Sequence, residues 1–397
     1  MTAKTIDTDN KEPSFLLNKK GAGIYIHIPF CKQACHYCDF HFSTSLKKKE
    51  EMIVAIISEI SARKDELKDG LIQTIYFGGG TPSVLSNEEI QLIIDAVYNN
   101  FIVVDNPEIT LEANPDDLSG SRIIELSKTP INRLSIGVQS FFEEDLKMMN
   151  RAHNAQEATE CIAEAVAYFD NISIDLIYGI PNMSNERWLQ NVQRALSFGV
   201  PHISSYALTV EPKTALHTFV KKGIIAPPSD EAAQEQFLLL VDTLEANGFI
   251  HYELSNFGKE SYFSQNNTAY WLGKRYLGIG PSAHSYNGIS RSWNVANNAL
   301  YLKAIQNNEL PSEEENLTIT DRYNEYIMTG LRTIWGVSTE RVNSEFGSEY
   351  YDYLIKESSH FINNGLLAFE NGILKTTRKG KFLADGIASD LFFINLE

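Results

Sequence analysis

Short apolar segments alternate with amphipathic segments over residues 23–208 of this 397-residue chain. Six apolar runs predict strands, at residues 24–28, 74–77, 109–111, 134–138, 172–177 and 203–208. Helical spacing of apolar residues occurs between them, at residues 46–67, 87–98, 121–127, 157–168 and 188–198. Strand–helix–strand repeats form right-handed crossovers and give a parallel sheet. Six such units over about 190 residues favour an α/β fold with an open, partial (β/α)6 barrel over a closed eight-stranded one.

Three cysteines directly follow the first predicted strand, at Cys31, Cys35 and Cys38. Their short spacing places three thiolates on one loop, close enough to share one inorganic cluster. Iron–sulfur clusters are usually held by four cysteines, and the remaining cysteine, Cys161, lies far away in a predicted helix. The loop therefore predicts a four-iron cluster in which one iron keeps a position for another ligand.

The same loop leaves two alternatives open. Zinc accepts mixed cysteine and histidine ligands, so His27, His36 or His41 could complete a zinc site with the three cysteines. The thiols could also stay unliganded. A disulfide is not expected, because a chain with four cysteines and no signal peptide is typical of a reducing compartment.

Composition excludes several classes of protein. No apolar run approaches the ~20 residues that a membrane-spanning helix needs, and the polar residues 1–20 predict a disordered tail rather than a targeting segment. We therefore expect a cytoplasmic protein without a transmembrane segment, and peripheral membrane contact stays open. The net charge of −17 disfavours binding of a phosphate backbone, so nucleic acid is not an expected partner.

The C-terminal part has a different pattern. The charged run at residues 311–316 predicts a linker. Beyond it, helical patterns at 321–334, 339–346 and 350–363 precede a hairpin with an Asn371-Gly372 type I′ turn and a last helix at 379–388. Helices followed by such a hairpin resemble a winged helix, here expected to pack on the barrel. The expected division is a tail (1–20), a barrel (21–255), a connecting segment (256–312) and a C-terminal helical, winged-helix-like domain (313–397).

Polar and glycine residues follow successive predicted strands. In parallel barrels, the carboxyl ends of the strands carry the binding groups. The second strand ends in Gly78-Gly79-Gly80-Thr81, where small residues allow close approach of a ligand. Glu112, Gln139 and Asp175 mark the ends of the next strands, and Arg151 follows a helical turn. Such a set predicts a pocket for a zwitterionic ligand that carries a ribose.

The cysteine spacing C-x3-C-x2-C resembles the radical S-adenosylmethionine (SAM) signature. Together with Gly-Gly-Gly-Thr-Pro, Gly-Val-Gln-Ser, Asp-Leu-Ile-Tyr-Gly-Ile-Pro and Leu-Gly-Ile-Gly-Pro-Ser-Ala-His, residues 21–385 resemble the oxygen-independent coproporphyrinogen III oxidase family. The resemblance implies a [4Fe-4S] cluster on Cys31, Cys35 and Cys38. It also implies SAM contacts from Tyr25, Tyr37, Gly79, Gly80, Thr81, Glu112, Gln139, Arg151 and Asp175.

That family contains oxidases and haem chaperones. The oxidases carry a fourth cysteine two residues after the third, where this chain has Phe40, and they have a longer N-terminal segment. Both differences favour a chaperone that transfers haem to apo-haemoproteins. The alternative is an oxidase that decarboxylates coproporphyrinogen III propionates through a 5′-deoxyadenosyl radical. A third alternative is a barrel that keeps the metal centre only as a structural element.

One feature opposes the chaperone interpretation. The chaperones usually carry His-Asn-x-x-Tyr-Trp, whose histidine is a proposed haem ligand, whereas this chain has Asn266 at that position. An amide is a poor axial ligand for haem iron. His284 lies nearby in the sequence and is the candidate haem ligand in its place, although a hydrogen-bonded loop histidine would give the same pattern.

Overall fold

The computed structural model describes residues 21–394, so the predicted tail at residues 1–20 lies outside the described residues. The strands are β1 (Gly21–Ile28), β2 (Leu71–Gly79), β3 (Val103–Ala113), β4 (Arg133–Gln139), β5 (Asn171–Tyr178), β6 (His202–Ala207), β7 (Ile250–Glu253), β8 (Asn256–Gly258), β9 (Arg275–Ile279), β10 (His284–Tyr286), β11 (Ser290–Asn294), β12 (Ser312–Asn316), β13 (Val337–Ser338), β14 (Leu367–Glu370) and β15 (Ile373–Thr376). All six strands predicted for the barrel are present.

The helices alternate with the barrel strands as expected. They are α1 (Lys49–Ala62), α2 (Asn87–Asn100), α3 (Gly120–Leu126), α4 (Glu143–Met148), α5 (Ala155–Ala165), α6 (Asn185–Ser197), α7 (Ala215–Lys221), α8 (Asp230–Ala246), α9 (Gln265–Trp271), α10 (Asn298–Gln306), α11 (Ile319–Leu331), α12 (Thr339–Phe346), α13 (Ser348–Asn363), α14 (Arg378–Lys381) and α15 (Ala384–Asp390). Over residues 21–394, no helix has both the length and the apolar character that a membrane span requires.

Twelve strands form one mixed sheet in the order β12-β11-β10-β9-β1-β2-β3-β4-β5-β6-β8-β7. Strands β1 to β6 run parallel, and β9 joins them in parallel beside β1. At each end of this parallel array the next strand is antiparallel, β10 beside β9 and β8 beside β6. The parallel strands therefore form an open barrel, which confirms the predicted fold class.

The two faces of the parallel strands differ in character, because successive side chains point to opposite faces. On β1, Ile24, Ile26 and Ile28 are buried in the apolar core under the helices. The alternate positions of the parallel strands carry polar side chains that line the inside of the barrel. They include Thr74, Tyr76, Glu108, Thr110, Glu112, Arg133, Ser135, Ser173 and Asp175.

The prediction of a linker at residues 311–316 is wrong. Residues Ser312–Asn316 form β12, which pairs antiparallel with β11 and is exposed throughout. An edge strand that is exposed on both faces needs no apolar side chains, and charged residues there protect the edge from pairing with other chains. The preceding segment, expected to connect two domains, supplies strands β8 to β11 to the same sheet.

A second apolar core lies within residues 323–391, around α11, α12 and α13. The strands β13, β15 and β14 form a separate three-stranded sheet beside these helices, as in a winged helix. Asn371 and Gly372 have φ values of +51° and +80°, which confirms the type I′ turn between β14 and β15. The last predicted helix is instead divided into α14 and α15.

Candidate functional site

A cavity of about 570 Å³ opens at the carboxyl ends of the parallel strands. The three loop cysteines lie on its wall. Every residue predicted to bind SAM lines it as well, with the exception of Tyr25. The lining residues from the prediction are Cys31, Cys35, Tyr37, Cys38, Gly79, Gly80, Thr81, Glu112, Gln139, Arg151 and Asp175. The strand ends therefore bring these residues together around one cavity, as expected for the carboxyl ends of parallel strands.

The cysteine loop is held by hydrogen bonds from neighbouring segments. The Cys31 amide donates to the Ser43 carbonyl at 3.1 Å. On the other side, the Asn150 side chain donates to the Ala34 carbonyl at 2.7 Å, and Gln33 donates to the Asn150 carbonyl at 2.9 Å. These contacts fix a loop that has no regular secondary structure of its own, so the three thiols keep their positions at the cavity wall.

Arg151 connects the cysteine loop to the barrel. Its Nη1 donates to Cys35 Sγ at 3.2 Å, and its Nη2 donates to Asn114 Oδ1 at 2.6 Å and to the Gly137 carbonyl at 2.7 Å. Its Nε is buried and has no acceptor among the described residues. Since Arg151 lines the cavity, an anionic oxygen of a bound ligand would satisfy a donor that is otherwise costly to bury.

Glycines bring backbone and side chains unusually close at this rim. A Cβ on Gly80 would lie 2.6 Å from the Phe30 carbonyl oxygen, so the strand end tolerates only glycine there. On β4, the register shifts between Gly137 and Gln139, and Gln139 has a φ of +67°. A bulge with such a residue redirects its side chain, and here it turns Gln139 toward the cavity.

Two buried carboxyl groups lie on the barrel side of the cavity. Burial, followed by the nearby Asp175 charge, raises the pKa of Glu112 to about 7, although a 2.7 Å hydrogen bond from Tyr76 favours its ionised form. Burial raises the pKa of Asp175 to about 6, opposed mainly by the charge of Arg133. Both groups are therefore poorly solvated as anions, and a cationic or hydroxyl-bearing ligand would stabilise their charged forms.

Tyr25 does not reach the cavity directly. Its ring stacks on the Tyr76 ring at a centroid distance of 6.0 Å, and the Tyr76 hydroxyl contacts Glu112. Tyr25 therefore supports the carboxylate through a second tyrosine. Tyr76 is not among the residues that the sequence predicts for the site, and it occupies an inward position of β2 two residues before Gly78. The alternation of side chains along that strand is the signal that could have identified it.

Asn114 is a second site residue that the sequence does not predict. Its side chain accepts from Arg151 and donates to Thr81 Oγ1 at 3.3 Å, while Thr81 donates to Cys31 Sγ at 3.4 Å. Asn114 thus links the guanidinium to the glycine-rich strand end. It directly follows Ala113 at the end of β3, so the strand-end rule that selected Glu112 could have found it.

The two residues considered for haem lie elsewhere. His284 is exposed on β10, with its ring 6.2 Å from the Trp293 ring. Asn266 is buried on α9, accepts from Thr74 at 2.9 Å and donates its backbone N–H to Glu108 at 3.1 Å. Thr74 lies early in β2, so Asn266 is near the end of the barrel opposite the cysteine loop.

The histidines considered for zinc are engaged in other contacts. His27 donates from Nε2 to the His41 carbonyl at 2.9 Å, and His36 donates to the Met148 carbonyl at 2.9 Å. The His41 ring contacts Asn298 Oδ1 at 2.7 Å. Over residues 21–394, no three His, Cys, Asp or Glu side chains converge as a single metal ion requires. The structure therefore does not support the zinc alternative.

The residues fit a cubane cluster better than a single ion. A four-iron cluster is bound through separate irons, so its cysteines surround a space and need not meet at one point. Burial raises the pKa of the Cys38 thiol to about 11, and the positive charge of bound iron is the interaction that would hold such a thiol deprotonated. The hydrogen bonds to Cys35 and Cys31 come from Arg151 and Thr81, and donors to sulfur of this kind are a feature of cluster sites.

Comparisons with known proteins agree with this geometry. The family profile described as the radical SAM superfamily matches residues 25–195, and that described as the HemN C-terminal domain matches residues 317–383. The protein named "Heme chaperone HemW" from Bacillus subtilis is 32% identical over 91% of this chain and 97% of its own length. The protein of the same name from Mycobacterium tuberculosis is 31% identical over 93% of this chain and 94% of its own.

A solved structure shares the whole architecture. Coproporphyrinogen III oxidase (HemN) from Escherichia coli superposes with a TM-score of 0.81 over 94% of this chain and 90% of its own, at 21% identity. At that identity the likeness shows the fold alone. The sequence matches extend over more than nine-tenths of both chains at more than 30% identity. The chain therefore belongs to the HemW family of radical SAM proteins.

Proposed function

We propose that this chain is a cytoplasmic radical SAM haem chaperone that binds haem and delivers it to apo-haemoproteins. The observation that carries the proposal is the match, along nearly the full length of both chains, with a relative named as a heme chaperone. The partners are therefore haem and a recipient apo-haemoprotein. Function is not implied by fold alone, so the likeness to a solved oxidase structure does not by itself favour an oxidase.

The proposed cofactors are a [4Fe-4S] cluster and SAM in the cavity at the strand ends. Cys31, Cys35 and Cys38 would hold the cluster. When bound, a cubane with three cysteine ligands supplies one iron that chelates the amino and carboxylate groups of SAM. The residues proposed to contact SAM are Tyr37, Gly79, Gly80, Thr81, Glu112, Gln139, Arg151 and Asp175, and Tyr25 would support them through Tyr76.

Each of these side chains has a simple physical task in that proposal. Arg151 offers its unsatisfied Nε to an anionic oxygen. Glu112 and Asp175 offer carboxylates to the amine, the ribose hydroxyls or the sulfonium charge. Gly80 lets the end of β2 pack directly against the backbone at Phe30. Together they orient a zwitterion inside the barrel mouth.

Phe40 favours the chaperone over the oxidase. Its side chain is 68% exposed and lines the cavity beside Cys38 and Asp39. Oxidases of the oxygen-independent coproporphyrinogen III oxidase family carry a cysteine at this position. A phenyl ring offers no thiolate to a reaction in the cavity. A chain with Phe40 therefore keeps the three cluster cysteines but lacks a group that distinguishes the oxidases.

Two assays on one anaerobic preparation test the proposal. Reconstituted protein loaded with haem is mixed with apomyoglobin as a general acceptor, and haem transfer is followed by absorbance. In parallel, the protein is incubated with coproporphyrinogen III, excess SAM and a reductant. We expect haem transfer and no protoporphyrinogen IX. Measured decarboxylation would overturn the chaperone assignment in favour of the oxidase, and failure to bind haem at all would remove its basis.

A further inference from the structure

A second cleft, of about 260 Å³, shares no lining residue with the cavity at the strand ends. Its walls come from α9 and strands β9 to β11 on one side, and from α11 and α12 of the C-terminal domain on the other. Aromatic and arginine side chains dominate its lining. They are Tyr270, Trp271, Tyr276, Tyr286, Arg291, Arg322, Tyr326, Arg341 and Phe346, and Glu325 and Glu345 complete the charged groups. The cleft is thus locally basic in a chain of net charge −17.

The arginines of this cleft differ in their partners. Arg291 forms an ion pair with Glu325 at 2.5 Å, and Arg341 forms one with Glu345 at 3.0 Å. The Nε of Arg341 makes no hydrogen bond, but Glu345 lies within ion-pair distance of it. Among the described residues, the Nε of Arg322 and the indole Nε1 of Trp271 are buried without a hydrogen-bond acceptor. Two unsatisfied buried donors in one small cleft are costly, and a carboxylate oxygen is the acceptor that a guanidinium fork fits best.

His284 shares a face of the sheet with two residues that line the cleft. Strands β10 and β11 pair Tyr286 with Arg291 and His284 with Trp293. Because alternate residues of a strand share a face, His284 and Trp293 lie on the face of Tyr286 and Arg291, which line the cleft. Two residues along a strand span about 7 Å. An exposed imidazole therefore stands about that distance from the basic cleft, on the same surface.

This surface has the chemistry of a haem site. His284 presents an exposed imidazole on this face, and histidine is a common axial ligand of haem iron. The tyrosine rings of Tyr276 and Tyr286, 6.3 Å apart, present flat apolar surface next to it. The cleft is smaller than the ~300–1,000 Å³ usual for whole ligands. It therefore accommodates the propionate carboxylates of haem but not the porphyrin ring.

We propose that this face binds the haem, with the propionate carboxylates at Arg322 and Trp271 and the iron toward His284. The inference rests on the proposed function, since the chaperone activity supplies the ligand. It places haem along β10 and β11, in a cleft that shares no lining residue with the cavity proposed for SAM. Asn266 has no part in it, because that side chain is buried on α9 against Thr74.

Titrations with haem and with haem dimethyl ester test the propionate contacts, and a histidine variant tests the contact with the iron. Each is titrated into the full-length protein and its variants, and binding is followed by difference absorbance in the Soret region. In the wild type, esterification should weaken binding by about tenfold, because a charge-assisted hydrogen bond is lost. Arg322→Gln should remove that preference, whereas Arg194→Gln, on the surface of α6, should keep it. His284→Ala should shift the Soret maximum, whereas His360→Ala, exposed at the end of α13, should not.

The outcomes distinguish the inference from the proposed function. If the wild type binds no haem, the proposed function fails and this site fails with it. If haem binds but Arg322→Gln keeps the preference for free propionates, or His284→Ala keeps the wild-type spectrum, the chaperone proposal survives and the location along β10 and β11 is wrong.

Discussion

Arg151 donates a hydrogen bond to Cys35 Sγ at 3.2 Å, while its other terminal nitrogen contacts Asn114 and the Gly137 carbonyl. One guanidinium therefore joins the cysteine loop to the ends of β3 and β4. Arg151 adds to the hydrogen bonds with Ser43 and Asn150 that hold this loop, which has no regular secondary structure around Cys35.

Replacement of Arg151 by glutamine should weaken SAM binding. The variant loses hydrogen bonds from a charged donor, which are worth about 1.5–3 kcal/mol each, so we expect about a tenfold or greater rise in the SAM dissociation constant. Equilibrium binding to the reconstituted protein measures it. Arg194→Gln on α6 is the control and should bind SAM like the wild type. Equal affinities in the two variants would place the ligand away from Arg151.

Replacing a loop cysteine should remove the cluster, whereas replacing Cys161 should leave it intact. Cys35→Ala removes one of three cluster ligands on the cavity wall, so anaerobic reconstitution should leave it with little iron or sulfide. Cys161 is buried in the apolar core on α5, and Cys161→Ala should retain the wild-type content of about four irons. Iron and sulfide analysis with absorption spectra provides the comparison. Stoichiometric zinc without iron in the wild type would refute the cluster.

Much of the cavity follows from one rule about parallel strands. Glu112, Gln139 and Asp175 are far apart in sequence, but the carboxyl ends of parallel strands meet at one edge, and the structure brings all three to one cavity. Tyr25 was expected there by resemblance and lies one layer lower, behind Tyr76. Inward-facing side chains along a strand lie at different depths in the barrel. A sequence motif does not show the depth at which a residue such as Tyr25 lies.

The extension of the sheet could not be predicted from local patterns. Strand β9 pairs with β1 although about 250 residues separate them, and neither strand carries a sequence signal for the other. The acidic strand β12 has no alternation of apolar residues because it is exposed on both faces. Such features depend on tertiary packing, which overrides local propensity. The cleft between β9–β11 and the C-terminal helices follows from these pairings, so the sequence did not predict it either.

The two buried carboxylates should be required for SAM and dispensable for the cluster. In Glu112→Gln and Asp175→Asn, a neutral amide replaces a charged acceptor of similar size. An unpaired polar contact in such a site costs about 1–3 kcal/mol, so SAM affinity should fall roughly tenfold with normal iron content. Glu260→Gln, on an exposed loop, is the matched control. Unchanged affinity in both buried variants would show that SAM binds in another pocket.

The same carboxyl groups should make the protein without bound ligands less stable as the pH rises. Glu112 has a pKa of about 7 in the folded chain against an ordinary 4.5, and Asp175 about 6 against 3.8, both raised by burial. The unfolded chain loses these protons first, so the free energy of unfolding falls between about pH 4 and 7. Below that range the contribution is fully present.

Urea denaturation at pH 5 and pH 7.5 measures this effect. Glu112→Gln cannot ionise, so its loss of stability between the two pH values should be smaller than that of the wild type. Glu260→Gln should show the wild-type difference. Identical differences in wild type and Glu112→Gln would mean that the Glu112 pKa is not raised by folding.

The strand end at Gly80 should tolerate no side chain. A Cβ there would lie 2.6 Å from the Phe30 carbonyl oxygen and 2.9 Å from that of Ile28, both backbone atoms that cannot move without displacing the start of the cysteine loop. Gly80→Ala should therefore destabilise the protein by about 1–3 kcal/mol, the range for overpacking, and lower its cluster content.

Gly386 lies on α15, where an added Cβ would meet no atom within 4 Å, so Gly386→Ala should be neutral or stabilising by up to about 1 kcal/mol. Thermal unfolding and iron analysis of both variants test the contrast, and a stable, cluster-replete Gly80→Ala protein would contradict the close approach of β2 to the cysteine loop.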